Sequence, residues 1–437
     1  MRVLLITQWF EPEPMLKGLL FARELKAMGH EVEVLTGFPN YPGGVFYPGY
    51  PLRPLRTDII DGIRVTRVPL FPSHSRSAIG RILNYLSFAA AAAVYGSLKR
   101  GNADVAYVYH PPLTVGMAAA VIGFVHRMPF VYDIQDLWPD TLKSTGMVSN
   151  RYALGIVAKA CRVVYRRAAA IVAQSPGFEK LLLDRGVPRE KLHMVYNWCD
   201  EAALTVDGPT SALPAGMEGR FNIVFAGNMG SAQALDAVLI AARDAHACDP
   251  RIQFVFVGDG VQVSHLQAMA RAQALGDAVM FVPRMPITEV GGILQAADAL
   301  LVHLRDDPLF SITVPSKTQA YLFSGKPILM AVRGDAADLV KHANAGVFAE
   351  PEDSASIANA AIRLASMPQD ELIAMGKRGR TYYEQTLSIK VGVAKLASLL
   401  EQACAAGSFK KSTPQREREQ PVSSGQSSSQ SSTQSGT

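Results

Sequence analysis

Short apolar runs alternate along most of the chain with longer stretches in which apolar residues recur every three or four positions. This is the pattern of buried strands, each followed by an amphipathic helix. Runs at 3–7, 31–36, 63–68, 103–109, 130–134, 170–174 and 193–196 predict strands. Between them, helices are expected at 19–28, 77–98, 113–125 and 153–167, and from the capping residue Ser175 to 184. A segment at 201–220, with Pro209, Pro214, Gly216 and Gly219, reads as a linker. A second series then predicts strands at 221–226, 252–257, 279–282, 299–304 and 328–332. Its helices are expected at 234–245, 263–274, 288–296, 316–324, 336–343, 355–365, 370–384 and 389–405. The pattern predicts an α/β chain of two doubly wound, Rossmann-like domains facing a cleft. Their expected bounds are 1–203 and 220–385, with a linker at 204–219, a last helix at 386–406 and a disordered Ser/Gln-rich tail at 407–437.

One stretch, 299–332, carries more than architecture. A buried strand leads into a loop with Asp306, Asp307 and Pro308, and Pro315-Ser316 stands where a helix begins. Ser316 is expected to cap that helix, leaving outward N–H groups beside Lys317, and Gly325 ends it. A helix start with a lysine at the carboxyl end of a strand is a natural seat for a diphosphate, although an ordinary β-α-β unit with a solvated lysine has the same pattern. Gly258-Asp259-Gly260 follows a strand and opens a helix, so its backbone could approach a nucleotide or simply turn. Arg284 follows another strand end, within reach of the same diphosphate or of a surface ion pair.

Composition narrows the class. The chain has 437 residues, 49% hydrophobic and 19% charged, with a formal net charge of +5. That length allows two substantial cores, and so weak and dispersed a charge does not point to nucleic acid. The four cysteines lack paired or metal-ligand spacing, which predicts a reducing, cytoplasmic setting. Met1-Arg2 runs straight into the first strand, so no signal peptide is expected, and the apolar run 85–98 is too short to span a bilayer. The helical stretches 77–100 and 153–167 combine apolar residues with arginines, which suits either a cover for the sheet or contact with the inner face of the membrane. No metal constellation is visible, and Asp306-Asp307 reads as a solvated loop.

Four stretches, HEVEVLTGFPNYPGG, YDIQDLWPD, VYNWCDE and VPSKTQAYLFSGKPIL, resemble the retaining, nucleotide-sugar-dependent glycosyltransferases of family four, which have the GT-B fold. The first and last are similar to the subgroup that builds bacterial surface polysaccharides, including fucosamine transferases. The resemblance implies transfer of a hexose or N-acetylated amino sugar from a UDP-sugar to a saccharide, with a lipid-linked saccharide as the expected acceptor, and neither metal nor cofactor. It also has departures. Lys17-Gly18 stands where many members carry Gly-Gly, and Gln135 replaces a histidine. Ile312 and Ala320 fall where the family's two glutamates would be, leaving Gln319 or backbone to meet the ribose, and Gly227-Asn228-Met229-Gly230 replaces a basic pair.

By this resemblance Lys317 and Arg284 stabilise the leaving diphosphate, with Ser316, Gly227, Asn228, Gly258 and Gly260 around the donor. Gly18 leaves room for the diphosphate, and Lys17 either assists or is solvated. Asp136 sits nearest the transferred sugar, or else caps the following turn. His110, at a strand end, reads either as structural or as part of the site. The departing phosphate oxygen itself can take the acceptor proton. Two other readings stay open: a GT-B sugar-nucleotide epimerase, and a non-catalytic subunit that binds a nucleotide sugar. A nicotinamide enzyme is disfavoured, because Gly-x-Gly-x-x-Gly follows neither first strand.

Overall fold

The computed structural model describes all residues except 74–77, 100–101, 110, 145–146, 206–213 and 413–437. The first domain holds an eight-stranded sheet of β1 (Arg2–Ile6), β2 (Glu31–Gly37), β3 (Arg56–Ile60), β4 (Ile63–Val68), β5 (Val105–Tyr109), β6 (Phe130–Ile134), β7 (Ala170–Ala173) and β8 (Leu192–Met194). Their order is β3-β4-β2-β1-β5-β6-β7-β8. All neighbours are parallel except β3 and β4. The second sheet contains β9 (Phe221–Ala226), β10 (Ile252–Val257), β11 (Val279–Val282), β12 (Ala299–His303), β13 (Ile328–Ala331) and β14 (Gly346–Phe348). It is wholly parallel, in the order β11-β10-β9-β12-β13-β14.

Central strands such as VAYVY and IQFVFV are buried along their whole length, because helices cover both faces of each sheet. Two strands escaped the sequence reading. β3 alternates half-buried and exposed residues on an edge, and Asp61-Gly62, both at positive φ, closes its hairpin with β4. β14 is three residues long and sits between helices, too short for periodicity to show. The final helix, Ile389–Ser412, runs past the expected start of the tail, and residues beyond it lie outside the described set. It also returns to the first domain, where Val393, Leu396 and Leu400 join the core with Val3, Leu5 and Val105. Gly392 lies flat on the buried Trp198, with no room for a Cβ.

The domains touch at one edge of the cleft. Ser175 caps the helix Pro176–Asp184 as expected, and its Oγ also donates to the carbonyl of Ile312 (2.6 Å). Gly177 N–H donates to the Asp335 carboxylate (2.7 Å). A Cβ on Gly177 would stand 2.4 Å from Ile312 Cβ, so this contact admits glycine only. Gly177→Ala should therefore wedge the domains apart here, costing about 1–3 kcal/mol of stability. Ile312→Gly in the same chain, which removes the Cβ it strikes, should restore most of it, as read by thermal unfolding.

Candidate active site

The carboxyl ends of β9, β10 and β12 converge on the gap, and the glycines there prove to serve the protein's own backbone first. Gly227, Gly258 and Gly260 all have positive φ (133°, 137° and 155°). A Cβ on Gly258 would fall 2.2 Å from the carbonyl oxygen of Gly227, and one on Gly260 2.3 Å from that of Met229. The two loops thus run backbone against backbone, tied by Gly227 N–H to Val257 O and Met229 N–H to Asp259 O, each 2.8 Å. Gly227 and Asn228 remain exposed at the surface of this double loop.

Lys317 enters at that point. It is the second residue of the helix Ser316–Ser324, and its Nζ stands 3.9 Å from the centroid of the Phe225 ring. A Cβ on Gly227 would come within 2.9 Å of its Cε, so glycine makes space for the lysine stem. Loss of water pushes the ammonium down to about 8, and no carboxylate forms an ion pair with it among the described residues. Ser316 does not cap this helix. Pro315 occupies that position and Ser316 is already helical, so no side chain covers the first N–H groups. The effect is to leave the anion seat more open than the sequence implied. Gln319 is also placed differently: it is buried, with its amide nitrogen facing the carbonyls of Pro315 (2.6 Å) and Ser316 (3.2 Å), back into its own helix start. Arg284 is exposed beyond β11, two strand spacings or about 10 Å across the sheet from β9, and makes no ion pair among the described residues. Asp306 instead pairs with Arg333, and Asp307 caps the short helix Pro308–Ser311.

The first domain corrects two expectations. Lys17 is not solvated: it is fully buried and donates to Asp133 Oδ2 (2.5 Å), with its charge also over the rings of Trp198 and Tyr109. Asp133 is equally buried and accepts further bonds from Tyr107 Oη and from Gln135 Nε2 (2.6 Å). Gln135 continues the network, since its Oε1 and that of Gln174 both accept from Asn197 Nδ2 (2.7 and 2.8 Å). Gly18, for its part, makes room for a neighbour within the chain: a Cβ there would stand 2.9 Å from the Glu11 carboxylate oxygens. The space beside it holds the Glu11 carboxylate, whose two oxygens each accept from Leu19 N–H at 2.9 Å at the start of the helix Leu19–Ala27.

Asp136 is half-buried beyond β6, and desolvation raises its carboxyl to about 6. Its charge acts on the phenols of Tyr41, Tyr85 and Tyr109. Around it an aromatic wall runs from Tyr41 to Trp9 (4.8 Å between centroids), then to Tyr85 (6.3 Å) and on to Trp138 (6.2 Å). The loop after β2 that brings Tyr41 here is anchored by Glu13, a buried carboxylate that accepts from the N–H groups of Phe10, Asn40 and Tyr41. Burial raises Glu13 to about 7. His110 lies outside the described residues. Among the described residues, no group of three or more His, Cys, Asp or Glu side chains is placed to hold a metal.

Two Rossmann-like domains with largely parallel sheets, meeting across a gap, have the architecture of the GT-B class of glycosyltransferase. The Glycosyl transferase 4-like domain matches residues 19–198, and Glycosyl transferases group 1 matches residues 220–367. The chain belongs to the group 1 glycosyltransferases. It is 24% identical over 317 residues to the WcaI glycosyl transferase of Escherichia coli K12, assigned to colanic acid biosynthesis, covering 70% of this chain and 77% of the relative. Among solved structures it is similar to Anabaena HepE in complex with UDP and glucose, with TM-score 0.64 and 16% identity over 91% of this chain and 99% of the other. The α,α-trehalose 6-phosphate synthase of Burkholderia multivorans superposes with TM-score 0.68 and 14% identity, over 93% and 99%.

Proposed function

We propose that this glycosyltransferase moves a hexose or N-acetylated amino sugar from a UDP-sugar to a lipid-linked saccharide, with retention at the anomeric carbon, in building a surface polysaccharide. The setting would be the cytoplasm, at the inner face of the membrane. The carrying observation is the partly desolvated Lys317 ammonium, without a carboxylate partner among the described residues, beside an uncapped helix start. A diphosphate is the counter-charge this arrangement lacks, and on this reading Arg284, on the same carboxyl edge of the sheet, would share it. HepE, of the same fold, was solved with UDP and glucose, and WcaI is assigned to colanic acid biosynthesis, which supports the donor and acceptor classes. On this reading the leaving diphosphate oxygen takes the acceptor proton, Asp136 orients or shields the transferred sugar, and the aromatic wall receives the acceptor.

The test is UDP release by the purified chain with UDP-hexoses and UDP-N-acetylhexosamines, with and without a saccharide acceptor. Product stereochemistry would be read by NMR. Acceptor-dependent UDP release with retention is expected. Donor turnover without acceptor would instead mark an epimerase, and donor binding with no product from any acceptor a non-catalytic subunit. If the Asp136 carboxylate form is the active one, kcat/KM should rise with pH through about 6. Asp136→Asn should remove that limb of the profile and lower the rate.

A further inference from the structure

Away from the gap, the helix Arg151–Arg167 presents an outer face that neither the fold nor the sugar-transfer chemistry uses. Its inner face, with Cys161, Val164 and Tyr165, belongs to the core of the first domain. The outer face carries Arg151, Lys159, Arg162, Arg166 and Arg167, and no acidic residue occurs anywhere in the helix. Lys159, Arg162 and Arg166 follow one another at spacings of three and four, so they share one side of the helix. None makes an ion pair among the described residues. With Arg185 and Lys191 from the neighbouring loop they line a groove of about 590 Å³. Of the nearby acids, Asp140 pairs with Arg185 and Glu179 with Arg189, while Asp184 and Glu190 are exposed beside Arg185 and Lys191, and the cations still outnumber them.

The amino-terminal half of the same outer face is apolar. Tyr152 and Ile156 are each 69% exposed there, and Val163, in the carboxyl-terminal half, is 45% exposed. The patch continues onto the adjacent helix Leu113–His126, where Phe124 is 68% exposed and lies under the Arg167 guanidinium at 5.0 Å. Uncompensated cations beside bare apolar side chains on one helix face match a bilayer surface that offers phosphate above acyl chains.

We infer that this groove is a phosphate-binding site for the headgroups of an anionic membrane, with Ile156, Val163 and Phe124 seated among the acyl chains beside it. The inference deepens the reading of a lipid-linked acceptor. It names the surface that would hold the enzyme where such an acceptor lies. The placement is consistent with a helix that is not itself a span, since among the described residues no helix is long and apolar enough to cross a membrane.

The test is co-sedimentation of the full chain with vesicles of phosphatidylcholine alone, or of phosphatidylcholine with one third phosphatidylglycerol, without any sugar donor or acceptor. Binding to the anionic vesicles only is expected. The variant Lys159→Glu/Arg162→Glu/Arg166→Glu should bind at least a hundredfold more weakly, at about fivefold per cation removed near the surface. A control with the same charge changes at Arg271, Arg363 and Lys377, exposed on the second domain, should bind like the parent chain. Ile156→Ser should weaken binding while leaving its salt dependence in place. Far-UV circular dichroism confirms that each variant is folded. Failure of the parent chain to bind anionic vesicles, saturation by inorganic phosphate with no vesicle binding, or equal loss in the control overturns the inference. UDP release with a lipid-free acceptor would be untouched by that failure, so the two readings fall separately.

Discussion

Lys317→Ala is expected to lower kcat/KM for sugar transfer by about 10²–10³-fold, the loss of one preorganised charged donor, worth about 2.7–4 kcal/mol in a dry cleft. The structure sharpens this beyond a simple deletion. The ammonium is partly stripped of water, has no carboxylate to balance it among the described residues, and is lowered to about 8. Removing it should therefore leave the thermal transition where it was or raise it, so lost activity would not come from lost folding. A second signature follows from the direction of the shift. On the proposed reading the cationic form binds the diphosphate, so affinity for UDP should fall as pH rises through about 8. Near and above that pH, UDP binding should take up a proton, measurable by calorimetry in buffers of different ionisation heat. Lys317→Arg, which keeps its charge, should lose the pH dependence. Unchanged UDP affinity and rate in Lys317→Ala would remove the diphosphate from this site.

Lys17→Met is expected to destabilise the first domain by about 3–5 kcal/mol. Lys17 and Asp133 are both without solvent contact, and the substitution would leave the Asp133 carboxylate buried with only Tyr107 and Gln135 as donors. Adding Asp133→Asn should recover most of the loss, because an amide in that place carries no charge to desolvate, its oxygen can still accept from Gln135, and its NH2 can donate to the Tyr107 hydroxyl. Urea unfolding of the two singles and the double gives the coupling directly. A Lys17→Met chain as stable as its parent would mean that the pair is not buried as the structure shows.

How much of this could be read from the residues divides along physical lines. The strands were legible wherever both faces are covered, since FNIVFA and IQFVFV are near-continuous apolar runs and the predicted bounds matched them. The edge strand β3 hid because one of its faces is wet, although the Asp61-Gly62 turn signalled it. Lys317 could be singled out because a lysine at a helix start after a buried strand has a local meaning. Lys17 was misjudged for the opposite reason. Its partner lies 116 positions away on β6, and nothing near Lys17 in the chain announces a buried carboxylate. The amide cluster of Gln135, Gln174 and Asn197 was missed likewise, as three separate strand ends supply it. The glycines of the double loop were noticed, but their purpose was not, because a close approach between two backbones is invisible until both are in place.

Glu11 has a consequence for how the enzyme can diversify. Because the carboxylate already sits at the mouth of the helix Leu19–Ala27, it repels any second anion arriving there. If the diphosphate is held beside Lys317 as proposed, nucleotide recognition rests on one lobe, and the opposite lobe is free to change its rim without disturbing the donor. Grafting that rim between related chains should alter which saccharide is extended while the activated sugar consumed stays the same.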